Sequence, residues 1–209
     1  MEYRPGDILA CYGSDTISRA IEFATFGPSH VGIVAEYQGD LRVFESTSLC
    51  KTPDLATGRS WSGVQVQRIE DRIEQYGGKV KRLSLVDMWQ LSTKESSLLS
   101  HILCKHWIGK PYDIGGAILS GTQVFKWTHL LPYPCEQLFC SQLVAACLMR
   151  LCRLGHENPA VYNPASLIRR VRREGKYSAP EWVDNRPSPT IARKPYWRAV
   201  SALNPARDD

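Results

Sequence analysis

The sequence predicts an α+β domain, and two groups of patterns lead to that prediction. Segments typical of strands, bounded by turn residues, occupy much of residues 7–85. Apolar residues at helical spacing follow over residues 93–108 and again from residue 140 onward. A chain of 209 residues has room for one ordinary domain with a full core. We therefore expect one sheet with helices packed on it.

The strand predictions rest on turn residues and apolar runs. A first strand follows the Pro5-Gly6 turn, since strands usually start after such breaker residues. The turn signal Gly39-Asp40 separates two apolar segments and predicts an antiparallel hairpin, with His30 and Glu45 near its open end. The expected strands cover residues 7–11, 31–35, 41–45, 63–69 and 79–85.

Four helices are expected from apolar spacing and from residues that start or stop helices. A short one follows Ser14 or Asp15 and ends before Gly27, and one over residues 93–108 ends at Gly109. The other two run from Cys140 to Gly155 and from Asn163 to just before Gly175. We expect residues 1–175 to form the domain and residues 176–209, which are interrupted by proline, to form a C-terminal extension.

Composition excludes several classes of protein. Hydrophobic residues make up 43% and charged residues 22% of the chain, as in ordinary globular proteins. No apolar stretch reaches the roughly 20 residues that cross a bilayer, and the N-terminus does not resemble a secretory signal. The expected location is therefore the cytoplasm, or a site reached by export without a visible signal peptide. The oligomeric state is left open.

The seven cysteines do not form the even framework of a small secreted disulfide scaffold. Most are expected to be buried as small hydrophobic residues. Cys147, Cys152 and His156 lack the paired spacing of structural zinc sites, so no metal is expected. The seven are Cys11, Cys50, Cys104, Cys135, Cys140, Cys147 and Cys152.

Cys140 is the candidate nucleophile, although a buried cysteine on an apolar helix face is a commoner arrangement. It stands at the predicted first turn of a helix, where free N–H groups favour the reactive thiolate. Among five histidines, His30 begins a predicted strand that could aim it, which makes it the candidate base. Glu45 on the paired strand has the chemistry to orient the imidazole. Either residue could instead be structural.

Five segments together resemble the NlpC-type cell-wall peptidases of the papain-like superfamily. In that family the cysteine half comes first, whereas here it comes last. This order is similar to the circularly permuted, YiiX-like branch, which is related to the lecithin:retinol acyltransferase-like enzymes. The strand-half segments are residues 5–9, 29–34 and 43–46, and the cysteine-half segments are residues 109–116 and 139–144.

The resemblance implies a permuted papain-like fold, an antiparallel sheet or half-barrel with the nucleophile at the start of a helix packed on it. It implies Cys140 as nucleophile, His30 as base and Glu45 as orienting group, with Tyr112 near the oxyanion. Residues that flank these positions are then expected to bind substrate, namely Ser29, Phe139 and Ser141. Phe139 and Gln142 replace an acid and a glycine of the family pattern, so the shape of the groove is expected to differ.

The expected function is a cysteine hydrolase that cleaves an amide, ester or thioester through an acyl-enzyme, without a cofactor. A cell-wall peptide and an acylated, lipid-like molecule are the two candidate substrates, and acyl transfer is an open variant of the reaction. The alternative is a catalytically idle binding or assembly module. The basic run 169–173 is typical of a solvated helix face and also suits an anionic surface. It is too short to indicate nucleic-acid binding.

Overall fold

A computed structural model describes residues 2–13, 22–23, 25–48, 52–76, 79–119 and 136–183. Its described part contains one six-stranded sheet in the order β4-β3-β2-β1-β5-β6, and every neighbouring pair is antiparallel. Helices accompany this open sheet, so the α+β class predicted from the sequence is confirmed. The strands are β1 (Ile8–Tyr12), β2 (His30–Tyr37), β3 (Asp40–Thr47), β4 (Gly63–Gln67), β5 (Lys79–Leu83) and β6 (Glu181–Trp182).

The predicted hairpin is confirmed by β2 and β3. Tyr37 pairs with Asp40, so the loop consists of two residues, Gln38 and Gly39. Their φ angles of 54° and 85° are both positive, as a two-residue hairpin turn requires. This tight turn sets the register that brings the other ends of the two strands, with His30 and Glu45, together.

The helices agree with the predictions in part. The expected helices at 93–108, 140–155 and 163–175 correspond to α2, α4 and α5, and residues 103–107 continue α2 as a π-helical segment. The expected short helix after Ser14 falls mostly outside the described residues. The helices are α1 (Ile69–Gln75), α2 (Thr93–Ile102), α3 (Ile114–Leu119), α4 (Cys140–Arg150) and α5 (Pro164–Arg173). Within the described ranges, none is both long and apolar enough to span a membrane.

The strand predicted at 63–69 is two residues too long, because Ile69 begins α1. Ile69 and Ile73 are the buried residues of this helix, and they pack on Leu9, Val34 and Val43 of the sheet. Five of the seven helix residues are polar, so the helical pattern in the sequence is short and weak. The helix nevertheless covers one face of the sheet.

The main core lies on the opposite face of the same sheet. Successive side chains of a strand point to opposite faces, so β1, β2, β3 and β5 contribute apolar residues to both layers. Side chains of α2, α4 and α5 cover this second face. The sheet contributes Ile8, Ala10, Val31, Ile33, Phe44, Val64 and Val66, and the helices contribute Leu99, Ile102, Leu143, Val144, Cys147, Leu167 and Val171.

The helix starts differ in a way that bears on function. Ser92 and Glu95 form a reciprocal capping box at the start of α2, and Asn163 caps α5 with Pro164 behind it. Phe139, at the same position of α4, has no polar side chain to cap the helix. The first-turn N–H groups of α4 are therefore available to other acceptors.

The beginning of the expected C-terminal extension packs on the domain. Residues 181–182 form β6 at the edge of the sheet, paired with β5. Tyr177 is buried, and its hydroxyl donates a hydrogen bond of 2.8 Å to the Gly6 carbonyl. At least these residues of the extension therefore belong to the folded domain.

A cysteine–histidine–glutamate candidate site

Cys140 is the first residue of α4 and lies beside the start of β2. The residue is 4% exposed, and its sulfur accepts the backbone N–H groups of Val31 and Ser141. Burial by itself raises the pKa of the Cys140 thiol. The charge and hydrogen bond of His30, together with the two N–H groups, outweigh burial and bring this pKa below its ordinary value.

His30 is the first residue of β2 and links Cys140 to Glu45. Its Nε2 lies 2.6 Å from Oε2 of Glu45, and Cys140 is the other group that interacts with the imidazole. Burial lowers the pKa of His30, but the negative charges and hydrogen bonds of Cys140 and Glu45 more than offset this. The resulting pKa is about 9, so His30 is protonated at neutral pH.

Glu45 lies on β3, and only 2% of its side chain is exposed. Its second oxygen, Oε1, accepts a hydrogen bond of 2.5 Å from Nε of Arg72 on α1. Burial raises the pKa of this carboxyl, whereas the charge of Arg72 and the contact with His30 lower it, to about 2 overall. Glu45 therefore stays ionised at neutral pH and has partners on both oxygens.

Arg72 and Tyr76 complete the support of His30. The guanidinium of Arg72 lies 5.1 Å from the centre of the Tyr76 ring. That ring is nearly parallel to the His30 imidazole, with 6.5 Å between ring centres. The Tyr76 hydroxyl shares a hydrogen bond of 3.3 Å with Oγ of Ser29. Helix α1 and the residue that follows it thus supply both a counter-charge for Glu45 and a flat wall beside the imidazole.

The sequence analysis missed Arg72 and Tyr76 because it assigned no helix to this segment. One signal could have indicated Arg72. It lies three residues after Ile69 and one before Ile73, and so shares the buried side of a short helix. An arginine in that position requires a buried acidic partner, and Glu45 is that partner.

Gly32 provides the space in which His30 and Glu45 meet. It lies on the same face of β2 as His30, two residues further along. A Cβ atom at this position would lie 2.7 Å from Cγ2 of Val43 and 3.1 Å from the Phe44 carbonyl oxygen. Any larger residue would therefore push β2 and β3 apart beside the candidate site.

Tyr112 lies near Cys140. It is partly buried, makes an isolated backbone bridge with Leu138, and packs near Phe139. Burial, followed by the negative charge of Cys140, raises the pKa of its phenol. The structure thus brings Cys140, His30, Glu45 and Tyr112 into one region, and their catalytic roles stay predictions.

Of the three residues expected to bind substrate, Phe139 and Ser141 have buried side chains, whereas Ser29 is partly exposed. Oγ of Ser141 donates a hydrogen bond of 2.6 Å to the Tyr162 carbonyl, and both Ser141 and Phe139 are fully buried. Oγ of Ser29 accepts the Gly13 N–H at 3.2 Å. Their role in binding substrate stays a prediction.

The charges of the site alternate along one path. A thiol of lowered pKa, an imidazole, a carboxylate and a guanidinium follow one another from Cys140 to Arg72. Such an arrangement places opposite charges next to one another in a site that is largely buried. The fold and the site together define an α+β domain with a buried thiol–imidazole–carboxylate group.

Comparison with solved structures identifies a protein of similar fold. The chain resembles the metalloprotein YiiX of Escherichia coli O157:H7 (DUF1105), with a TM-score of 0.51 and 20% identity over 84% of each chain. At this identity the likeness concerns the fold alone. No family model matches the sequence, and no curated protein matches it either. The predicted resemblance to the YiiX-like branch is thus supported at the level of fold, and the circular permutation of an NlpC-type domain stays a prediction.

The geometry of the candidate site differs from that of a metal centre. Within the described ranges, no three His, Cys, Asp or Glu side chains are grouped as metal ligands. In the Cys140 region, Nε2 of His30 contacts Glu45, and Cys140 is the other group that interacts with the imidazole. We therefore assign no metal to this site.

Proposed function

We propose that the protein is a cysteine hydrolase that cleaves an amide, ester or thioester bond through an acyl-enzyme. The observation that carries the proposal is the arrangement of Cys140 at the start of α4, beside a His30 whose Nε2 lies 2.6 Å from Oε2 of Glu45. These neighbours bring the pKa of Cys140 below its ordinary value although the thiol is buried. Burial alone makes a thiol inert, as it does for Cys147, whose pKa it raises to about 12 on the same helix. The imidazolium of His30 reverses this effect at Cys140.

The reaction begins with attack of the Cys140 thiolate on the substrate carbonyl carbon. A carbon–sulfur bond forms, and the carbonyl electrons move to oxygen. The N–H of Cys140, which as the first helix residue has no acceptor within the helix, is a donor for this oxyanion, and Tyr112 is a second candidate. Protonated His30 then gives its proton to the leaving amine, alcohol or thiol as the bond to that group breaks.

The second half of the reaction returns the enzyme to its starting state. Neutral His30 takes a proton from water, which attacks the thioester carbon and releases the acid and the Cys140 thiolate. An amine or alcohol acceptor in place of water gives acyl transfer instead. Glu45 holds the orientation of the imidazole and stabilises its charged form throughout, since the contact at Nε2 is independent of Cys140. Arg72 keeps Glu45 ionised.

The first experiment measures the reactivity of each cysteine with iodoacetamide as a function of pH, by mass spectrometry of the peptides. Cys140 is expected to react well below its ordinary pKa of 9.0, whereas Cys147 stays unreactive across the range. The exposed Cys152 in the same sample serves as the reference thiol. Slow reaction of Cys140, with a midpoint at the ordinary pKa, would favour an idle binding module instead.

The second experiment identifies the substrate class. Purified protein is incubated with muropeptides and, separately, with N-acyl lipids, acyl esters and acyl thioesters. Consumption of one class by the wild type and by Cys152→Ser, but not by Cys140→Ser, supports the hydrolase, and intact-mass spectrometry should show an acyl adduct on Cys140. Turnover by Cys140→Ser at the wild-type rate would refute the assignment of the nucleophile.

A further inference from the structure

Two aromatic rings project from the turn that leads into β2. Phe23 is 81% exposed and Phe26 is 84% exposed, and their ring centres are 6.3 Å apart. Phe26 has a φ of 52°, an uncommon conformation for a bulky residue. Exposed apolar side chains that occur singly need no explanation, but a pair of exposed aromatic rings close to each other is typical of an interaction surface.

Helix α5 places a row of arginines beside this turn. Arg169, Arg172 and Arg173 are exposed, and their spacing puts them on one side of the helix. Nη1 of Arg169 donates a hydrogen bond of 2.9 Å to the Thr25 carbonyl, between the two phenylalanines in sequence. Among the described ion pairs of α5, the acids Glu157 and Glu174 pair with Arg170 rather than with these three.

The turn with the two phenylalanines and the arginines of α5 both lie close to the candidate site. Gly27, next to Phe26, packs so tightly on Ala165 of α5 that a Cβ atom would lie 2.4 Å from the Ala165 Cβ. The turn continues directly into His30. At the other side, Ser141, next to Cys140, is hydrogen-bonded to Tyr162 just before α5. A partner on this surface would therefore be positioned close to the Cys140–His30 pair.

We propose that this surface, formed by Phe23, Phe26, Arg169, Arg172 and Arg173, docks the protein on an anionic lipid bilayer. Aromatic rings insert at the boundary between headgroups and acyl chains, and arginines bind the negative headgroups around them. Two protruding rings are far too small for a stable protein interface, which buries about 800 Å² on each side. A bilayer needs no complementary shape and accepts a small apolar tip surrounded by positive charge.

The test is cosedimentation of the full chain with vesicles of phosphatidylcholine alone or mixed with phosphatidylglycerol. The protein should bind the mixed vesicles and bind phosphatidylcholine vesicles far more weakly. Phe23→Ser/Phe26→Ser should weaken binding about tenfold or more. Arg172→Gln/Arg173→Gln should weaken it roughly thirty-fold at low salt and less at high salt, where charges are screened beyond about 3 Å. This double variant leaves the contact of Arg169 with Thr25 in place.

Two control variants remove the same number of exposed apolar side chains or positive charges elsewhere on the surface. Met88→Ser/Leu98→Ser removes two exposed apolar side chains, and Lys94→Gln/Lys105→Gln removes two exposed charges. Both should bind vesicles as the wild type does, and so should Cys140→Ser, which keeps this test separate from that of the hydrolase. Circular dichroism checks that each variant is folded.

Three results would overturn the proposal. One is equal binding to neutral and anionic vesicles, and another is an equal loss with the control variants. The third is binding to soluble DNA that depends on Arg172 and Arg173 but not on the phenylalanines, which would assign the arginines to nucleic acid instead.

Discussion

Glu45→Gln is the substitution that tests the charge arrangement of the site most directly. It keeps the size of the side chain but removes the negative charge between His30 and Arg72. The buried Arg72 guanidinium then lacks its counter-charge, and His30 loses one of the two groups that favour its protonated form. We expect the variant to be less stable and its Cys140 to be less reactive at neutral pH.

The size of the stability loss follows from the pKa of Glu45. The pKa is about 2 in the folded protein and 4.5 ordinarily. At about 1.4 kcal/mol per pH unit, the difference corresponds to about 3 kcal/mol of unfolding free energy at neutral pH. Breaking a buried ion pair costs about 3–5 kcal/mol in other proteins, which agrees. In a domain of this size the melting temperature should fall by roughly 10 °C.

The difference in stability between wild type and variant should depend on pH with a definite sign. The folded pKa of Glu45 is depressed, so its contribution is fully present above pH 4.5 and is lost as the pH falls toward 2. The amide that replaces this carboxyl in Glu45→Gln has no proton to gain, so the difference should shrink on acidification. Roughly two fifths of the difference should remain at about pH 3.

Urea denaturation of wild type and Glu45→Gln, followed by circular dichroism from about pH 7 to about pH 3, measures this difference. The control is Glu36→Gln, which removes an exposed carboxylate from the neighbouring strand and should change stability little at any pH. Equal stability of Glu45→Gln and the wild type at neutral pH would refute the reasoning. So would a difference that does not change with pH.

Three further substitutions test the structure around the site. Arg72→Met should lower the free energy of unfolding by about 3–5 kcal/mol, because Glu45 loses its cation. It should also slow the alkylation of Cys140 near pH 6. An unchanged alkylation profile would contradict the role given to Arg72. Gly32→Ala should destabilise the domain by about 1–3 kcal/mol through its contact with Val43, as measured by urea denaturation, whereas a stabilised variant would show that the strands separate freely. Ser92→Ala removes the cap of α2 and should cost about 1 kcal/mol without affecting turnover; loss of activity there would mean that stability alone, and not the site, controls the rate.

Much of the fold could be predicted because its signals are local. The turn residues between β2 and β3 determine the hairpin, and the Asn163-Pro164 pair marks the start of α5. Both depend on the backbone preferences of a few adjacent residues. Helix α1 lacked such a signal, since Ile69–Gln75 has only two apolar residues and no capping side chain. Its helical form depends on packing against the sheet.

The sequence predicted the residues of the candidate site more completely than it predicted the residues that hold them in place. Cys140, His30, Glu45 and Tyr112 were chosen for their chemistry and their motif order, and the structure places them in one region. Arg72 and Tyr76 were missed because they belong to the unpredicted α1 and its end. The burial of Phe139 and Ser141 could not be predicted either, because it depends on partners such as Tyr162, 21 residues away from Ser141.

By itself, the sequence determined most of the helices and strands and the chemical groups at their ends. One of these groups is a cysteine at the start of a helix that has no polar capping side chain. Only the tertiary structure decided that these groups meet and are charged. The pairing of β1 with β2 and β5, and the packing of α1 and α4 at the site, join segments far apart in the chain. The pKa values of Cys140, His30 and Glu45 depend on those contacts, because burial and neighbouring charge act through space and not along the sequence.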